Sequence, residues 1–306
     1  MTEKIENNSI AFWGPRASGK TSLIAAFARE LTWYSKADPD FSYKLSNNQG
    51  LRSELNSEIA PEFPQATPPY PVDHTFYFQR IGKKNSIAHN VSSFQHTIQI
   101  RDNSGENLFF RDSDKNNDKN YEDYLSIRNF IILIDPTAIT KMTDHRSING
   151  FRFTPEQYLE SLQRLLRISL PNFETLRLAI CISKSDALHT RLPADLIIEN
   201  YFENKLFDLL RADNRVNYSF FKVSSVGMIT TISGKSVSNI SNLKENYYEL
   251  KDPEKWNPIN VVSPFFWIFE NIERELISKH QKKNPFKLFD IDRHRYYIPY
   301  PHPRPL

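Results

Sequence analysis

The chain has 306 residues, of which 39% are hydrophobic and 25% are charged, and its formal net charge is only +3. This composition predicts a folded protein with a buried core, and the small net charge argues against a nucleic-acid partner. No run approaches the roughly 20 apolar residues needed to cross a bilayer, and the polar N-terminus lacks an apolar signal core, so we expect a cytoplasmic protein. The single cysteine, Cys181, excludes an internal disulfide.

The first half of the chain is predicted to contain four strands and one helix. An apolar run over 9–13 predicts a strand, and apolar residues at helical spacing predict a helix over 20–33. Residues 35–73 are punctuated by prolines and predict irregular structure. Two alternating runs, 74–81 and 94–101, predict an antiparallel hairpin at a sheet edge. The continuous apolar run over 129–135 is typical of a central parallel strand.

The second half continues the alternation of helices and strands. The pattern predicts helices over 155–168, 193–210 and 265–278, with Thr154 as an N-cap, and strands over 176–182 and 218–223. Residues 228–262 show no clear periodicity and indicate an insertion. We therefore predict an α/β fold with a mostly parallel sheet, one antiparallel edge strand and helices on both faces. This domain covers residues 1–280, and the proline-rich residues 281–306 form an extended tail.

A phosphate-binding motif, GxxxxGK[ST], lies between the first predicted strand and the first helix. Successive backbone N–H groups of such a loop can surround a phosphate, and glycines allow the close approach. We expect Lys20 to reach the β- and γ-phosphates and Thr21 to place its hydroxyl on Mg²⁺. The predicted nucleotide-binding residues of this segment are Gly14, Pro15, Arg16, Ala17, Ser18, Gly19, Lys20, Thr21 and Ser22.

A second motif, DxxG, runs from Asp102 to Gly105, directly after the second strand of the predicted hairpin. An aspartate at a strand end can hold a metal-bound water, and the N–H of Gly105 can contact a γ-phosphate. DxxG is also an ordinary turn sequence, so its weight comes from its position after that strand.

A third motif consists of Ser183, Lys184, Ser185 and Asp186, which follow the strand predicted over 176–182. A carboxylate can accept hydrogen bonds from N1–H and the 2-amino group of guanine, and adenine offers neither donor at those positions. Asp186 could therefore specify the base, because a mismatch would leave buried polar groups unpaired. The stem of Lys184 would pack over the base. Taken alone, the four residues fit a solvated turn equally well.

A fourth motif consists of Ser224, Ser225, Val226 and Gly227, which follow the strand predicted over 218–223. Their backbone could approach the edge of the base, although a plain turn explains this motif equally well. The four motifs nevertheless stand in order at strand ends, and ligands of open α/β sheets bind outside the carboxyl ends of the strands. Their joint order therefore favours one nucleotide site.

The ordered motifs GPRASGKT, DNSG, SKSD and SSVG resemble those of the P-loop GTPases related to translation factors and Ras, over residues 9–278. More narrowly, the stretches WGPRASGKT, FPQAT and WNPINVVSPFFWIFENI resemble the bacterial double-GTPase group, which implies a place in a multi-gene conflict or signalling system. The resemblance implies a Mg²⁺-dependent switch that binds GTP or GDP, hydrolyses GTP and acts on a protein partner.

The same resemblance implies roles for particular residues. A switch threonine before the hairpin would bind Mg²⁺ together with Thr21 and Asp102. Thr67 is the first choice, and Thr75 is the second because it lies within a predicted strand. The implied catalytic residues are Lys20, Thr67, Gly105 and Glu106.

Two positions depart from the family pattern. Ser183 stands where Asn or Thr is common, which predicts looser packing of that loop. Glu106 stands where Ras-like members have glutamine, and an ionised carboxylate cannot donate a hydrogen bond. Glu106 could act as a base, or hydrolysis could be slow or need a partner. Arg16 could stabilise charge in cis, although a solvated arginine is the simpler interpretation.

Two other functions therefore stay open. The first is an ATPase or small-molecule kinase that shares only the phosphate loop. The second is a scaffold that holds a nucleotide without hydrolysing it.

Overall fold

The computed structural model describes residues 9–15, 17–37, 41–46, 72–80, 94–102, 124–139, 153–188, 190–244, 247–269, 271–272 and 275. The chain divides into two compact units, Met1–Ile268 and Phe269–Leu306. The sheet and the candidate site belong to the first unit. The domain boundary predicted at residue 280 and the predicted tail over 281–306 lie outside the described residues.

Seven of the described strands form the central sheet: β1 (Ile10–Trp13), β2 (Phe41–Ser46), β3 (Val72–Arg80), β4 (Phe94–Asp102), β5 (Asn129–Ile134), β6 (Leu176–Ile182) and β7 (Val216–Lys222). Across the sheet their order is β2-β3-β4-β1-β5-β6-β7. The pairs from β4 through β7 are parallel, whereas β3 is antiparallel to both of its neighbours. This confirms the predicted α/β fold, with β2 as a further strand on the outer side of the antiparallel one.

The parallel centre of the sheet forms because its strands are apolar on both faces. Every residue of β1, β5 and β6 is buried. Such runs can be covered only when helices pack on both sides of the sheet. The sequence of each strand therefore already requires the layers that surround it.

The helices are α1 (Lys20–Ala37), α2 (Pro155–Ser169), α3 (Ala194–Phe202) and α4 (Lys205–Arg211), and residues 263–269 are also helical. Residues of α2, α3 and α4 share one buried cluster with the Trp13 face of the sheet. On the opposite face, Phe27 of α1 stacks on Phe265 at 3.7 Å between ring centroids. Helices thus lie on both faces of the sheet, and none of those described is long and apolar enough to span a membrane.

The start of α2 shows how side chains fix a helix end. The Thr154 hydroxyl accepts a hydrogen bond from the Gln157 N–H at 3.3 Å, and the Gln157 side chain accepts one from the Thr154 N–H at 2.9 Å. This reciprocal pair satisfies two N–H groups that have no partner within the helix. The predicted N-cap at Thr154 is confirmed.

Two regions differ from the prediction. The helix expected over 193–210 is broken at Glu203, whose φ of 54° ends α3 before α4 begins. Residues 35–73 were expected to be irregular, yet residues 41–46 form β2 through pairing with β3. Each correction reflects a feature that local periodicity does not carry, namely a single backbone angle and a pairing distant in the chain.

The predicted insertion, residues 228–262, contains two small antiparallel hairpins. The first pairs β8 (Met228–Thr230) with β9 (Ser236–Ser238), and the second pairs β10 (Ile240–Lys244) with β11 (Tyr247–Leu250). The first hairpin follows the fourth motif directly in the chain, so it starts at the same end of the sheet as that motif.

Candidate functional site

The candidate site lies at the carboxyl ends of the parallel strands. Gly14 follows β1, Asp102 ends β4, Asp135 follows β5, Ser183 follows β6 and Ser224 stands just beyond β7. Because these strands are adjacent and parallel, their ends meet at one edge of the sheet, where ligands of such folds bind.

The first segment of the site is the loop between β1 and α1. The Lys20 ammonium folds back and donates hydrogen bonds to the carbonyl oxygens of Gly14, at 3.1 Å, and Pro15, at 2.9 Å. A side chain at position 14 could not be accommodated, since its Cβ would lie 2.9 Å from the Leu133 carbonyl oxygen of β5. The glycine therefore lets the loop run against the neighbouring strand.

The loop leaves open space where it turns into the helix. Gly19 has a φ of 93°, and a Cβ added there would meet nothing within 4 Å. The Leu23 N–H donates to the Gly19 carbonyl at 2.9 Å, so α1 starts at once and Lys20, Thr21 and Ser22 form its first turn. The Ser18 hydroxyl is buried and has no hydrogen-bond partner among the described residues. These features suit an anion held at a helix N-terminus.

The second segment is described only in part. Asp102 is the last residue of β4, where its backbone pairs with Val72, and its side chain lies outside the described residues. Thr75, the second choice for the switch threonine, lies within β3 and pairs with Gln99. Thr67, Gly105, Glu106 and Arg16 also lie outside the described residues.

The described residues include no group of three His, Cys, Asp or Glu side chains that could hold a metal ion. Such a group is not needed for Mg²⁺, which is commonly held by one or two protein ligands together with substrate phosphates and water. The predicted metal ligands Thr21, Thr67 and Asp102 stay a prediction.

The third segment is the turn after β6, which is held tightly by Ser183. The Ser183 N–H and hydroxyl both donate to the Ile134 carbonyl of β5, at 2.9 and 3.2 Å. The side chain is buried, with 4% of its residue surface exposed. The loose packing expected from serine at this position is therefore wrong, because the hydroxyl reaches the carbonyl directly.

Asp186 is the buried carboxylate of this segment. Only 3% of the residue surface is exposed. Its Oδ2 accepts a hydrogen bond from the Ser238 hydroxyl, whereas its Oδ1 is buried and has no hydrogen-bond partner among the described residues. A buried, partly unsatisfied carboxylate is costly unless a ligand or water completes its hydrogen bonds. Asp186 is thus poised to accept from a donor group.

Lys184 has a partner that the sequence analysis did not assign. Its φ is 50°, and its ammonium lies 2.6 Å from Oδ2 of Asp135, the residue that follows β5. Oδ1 of Asp135 accepts from the Thr137 N–H at 2.9 Å and from its hydroxyl at 2.6 Å. Asp135 therefore fixes the lysine that flanks the candidate base site. The sequence feature that could have indicated Asp135 is its position directly after a buried strand.

Tyr158 of α2 lies against the same aspartate. Its hydroxyl accepts a hydrogen bond from the Asp135 N–H at 3.4 Å. Burial, together with the negative charge of Asp135, raises the pKa of Tyr158 well above its usual value, so the phenol stays neutral. Among the described contacts, the Asp135 carboxylate thus has one cationic partner, Lys184, and accepts hydrogen bonds from Thr137.

The fourth segment is closed by residues 256–260, which we call the clamp. The Ser224 N–H donates to the Ile259 carbonyl at 3.0 Å, and the Ile259 N–H donates back at 2.8 Å. The Trp256 indole N–H donates to the Ser225 carbonyl at 2.6 Å. The Ser224 hydroxyl accepts from the N–H groups of Val226 and Gly227 at 3.3 and 2.9 Å. The turn is therefore a hydrogen-bonded structure rather than a loose connection.

The clamp also reaches the helix that follows the phosphate loop. The Arg29 guanidinium of α1 lies 4.3 Å from the centroid of the Trp256 ring. A cation over an indole face is attracted by the ring quadrupole. Trp256 thus contacts both α1 and the turn after β7. Sequence reasoning missed this link because the clamp has no local periodicity.

No protein-family model matches the chain, and no curated protein matches it. Among solved structures, it is similar to a putative nucleolar GTP-binding protein 1 from Plasmodium falciparum, at 12% identity over 92% of this chain and 96% of that chain, with a TM-score of 0.34. It is similar to a signal recognition particle receptor SRb-GTP/SRX complex from Chaetomium thermophilum, at 14% identity over 72% of this chain and 94% of that chain, with a TM-score of 0.35.

A third similar structure is the GTPase-like domain of S. cerevisiae Ski7 bound to GTP, at 18% identity, with a TM-score of 0.36. The match covers 87% of this chain and only 50% of that one. Likenesses of this size carry no conclusion about function, which depends on the residues of the site.

Proposed function

We propose that the chain binds a guanine nucleotide and hydrolyses GTP as a switch. The observation that carries this proposal is Asp186, a buried carboxylate with one oxygen left without a partner among the described residues. Guanine presents two neighbouring donors, N1–H and the 2-amino group, which can satisfy a carboxylate. Adenine presents an acceptor at N1, so its binding would leave the carboxylate unsatisfied.

The loop between β1 and α1 supplies the phosphate side of the proposal. The Lys20 ammonium donates to two loop carbonyls and would exchange them for phosphate oxygens of higher negative charge. The open space at Gly19 would receive the phosphates at the N-terminus of α1. Thr21 would hold Mg²⁺ with Thr67 and Asp102, and the ion would neutralise phosphate charge.

The hydrolytic part of the proposal is supported by the motif resemblance. Gly105 would contact the γ-phosphate, and Glu106 would act near the reacting water, with slow turnover or activation by a partner as the consequence of a carboxylate there. The resemblance also supports a protein effector in a bacterial conflict or signalling system, and the polar N-terminus supports a place in the cytoplasm.

The test is equilibrium binding of GTP, GDP and ATP in the presence of Mg²⁺. We expect GTP and GDP to bind far more tightly than ATP. Asp186→Ala should remove two charge-assisted hydrogen bonds and weaken GTP binding by about 100-fold, with ATP affinity unchanged. Lys20→Ala is the matched control, because it should weaken all three nucleotides alike.

Asp186→Asn gives an independent check of the base contact. An amide can donate to the 2-oxo group of xanthine, which a carboxylate cannot. The variant should therefore prefer xanthosine triphosphate to GTP. Equal binding of ATP and GTP by the wild type would contradict the proposal and favour an ATPase or kinase. Tight GTP binding without phosphate release, with and without candidate partners, would favour the scaffold.

A further inference from the structure

The inserted hairpin β8–β9 supplies a hydrogen-bond donor to one oxygen of the Asp186 carboxylate. Ser238, the last residue of β9, donates its hydroxyl hydrogen to Oδ2 of Asp186. The Ser224 hydroxyl of the fourth motif accepts two backbone N–H groups of its own turn instead. Among the described residues, the hydrogen bond to Asp186 Oδ2 thus comes from the insertion.

Ser238 is held in place from three sides. Its backbone pairs with Met228 across the hairpin. The Lys251 ammonium donates to the Ser238 carbonyl at 3.0 Å. The next residue, Asn239, is fully buried and donates its N–H to the Gly227 carbonyl at 3.0 Å. The backbone of Ser238 is therefore fixed by a network of contacts, and this backbone places the hydroxyl within reach of Asp186.

The network extends to the segment after β11. The Asn239 side-chain amide donates to the Asp252 carbonyl at 2.9 Å and accepts from the Asp252 N–H at 2.9 Å. Asn239 therefore joins the fourth motif, through Gly227, to the segment after β11. A displacement of the insertion would move Ser238 relative to Asp186.

We infer that Ser238 is a positioning residue for base recognition, and this inference rests on the proposed function. A hydroxyl bonded to Oδ2 restricts rotation of the Asp186 carboxyl group. Oδ1 then stays oriented to accept a hydrogen bond from the base. A base that donates two parallel hydrogen bonds needs both oxygens in one fixed plane. The insertion is thereby part of the specificity site, and guanine preference depends on its structure.

The test measures GTP, ATP and inorganic tripolyphosphate affinity, with Mg²⁺, for the full chain and four variants. Ser238→Ala should weaken GTP binding by about tenfold and leave ATP and tripolyphosphate unchanged, because one charge-assisted hydrogen bond to the carboxylate is lost. Ser238→Thr keeps the hydroxyl and should restore GTP binding. Ser238→Cys, a weaker donor, should lie between them.

The matched control is Ser236→Ala, which removes a hydroxyl from the same face of β9 at an exposed position. It should behave as the wild type. Thermal unfolding without nucleotide checks that the variants share one folded state.

Equal GTP affinity for Ser238→Ala and Ser236→Ala would overturn the inference. An equal loss of GTP and tripolyphosphate binding would also overturn it, because that result indicates a general structural role. A wild type with no preference for GTP over ATP would instead overturn the proposed function, so the two failures are distinguishable.

Discussion

Gly227 offers the sharpest test of the clamp, because Gly234 is a natural control. The two glycines have nearly the same backbone angle, with φ of 74° and 77°. A Cβ added at Gly227 would lie 1.9 Å from the Asn257 carbonyl oxygen, whereas one added at Gly234 would meet nothing within 4 Å. Alanine at both positions therefore carries the same conformational strain and differs only in the clash.

The expected magnitudes follow from this geometry. Left-handed backbone strain costs an alanine about 1 kcal/mol at either position. At Gly227 the clash is with backbone, so the clamp must move. That movement breaks two Ser224–Ile259 hydrogen bonds and the one from Trp256 to Ser225. At about 1 kcal/mol for each hydrogen bond, Gly227→Ala should reduce the free energy of unfolding by about 4 kcal/mol.

The assay is urea unfolding of the wild type, Gly227→Ala and Gly234→Ala, followed by far-UV circular dichroism. Gly227→Ala should lose about 3 kcal/mol more than Gly234→Ala. Its indole fluorescence should also change, since Trp256 leaves the Ser225 carbonyl. Equal losses for the two variants would refute the idea that the clamp is rigidly seated on the fourth motif.

Three further predictions concern stability. Burial lowers the pKa of His74 from 6.5 to about 4. Below pH 6.5 the unfolded chain therefore takes up a proton that the folded chain does not. The free energy of unfolding, measured by chemical denaturation, should fall by about 3 kcal/mol between pH 6.5 and pH 4. Thr154→Ala should cost about 1 kcal/mol in urea unfolding, since it removes the N-cap of α2. Asp135→Asn should cost roughly 1.5–3 kcal/mol in the same assay and weaken nucleotide binding, because it removes the partner of Lys184.

Each of these predictions has its own control. His74→Gln should flatten the stability curve between pH 4 and pH 6.5, and an unchanged slope would show that another group titrates there. Gln157→Ala should reduce the free energy of unfolding less than Thr154→Ala does, because the Thr154 hydroxyl that caps the helix remains. If Asp135→Asn leaves nucleotide affinity unaltered, the position of Lys184 does not matter for binding.

The strands at the centre of the sheet could be predicted from the sequence because short, continuous apolar runs are typical of strands buried on both faces. The predicted strand over 176–182 coincides with β6, and the run beginning at Asn129 gave β5 to within one residue. Burial on both faces requires helices on both sides, and the alternation of elements then fixes parallel pairing. The central part of the fold can therefore be predicted from the local sequence.

The remaining features depend on partners far away in the chain. The run FSYKLS becomes β2 only because it pairs with β3. The Ser238 hydroxyl bonds to Asp186, which lies 52 residues away in the sequence, and Trp256 bonds to Ser225, which lies 31 residues away. No periodicity marks such contacts, so the sequence could indicate Asp186 as a candidate and could not indicate what holds it. The roles of Asp186 and the other site residues stay predictions until nucleotide binding is measured.

The clamp also bears on the order in which the protein is completed during translation. The loop between β1 and α1 leaves the ribosome before residues 256–260, which leave after every described strand of the central sheet. A nascent chain that ends before Trp256 therefore has the phosphate side of the site and lacks the contacts that close the turn after β7. Under the proposed function, a nucleotide would bind tightly only after residues 256–260 have been synthesised, so it would stabilise the domain late in synthesis.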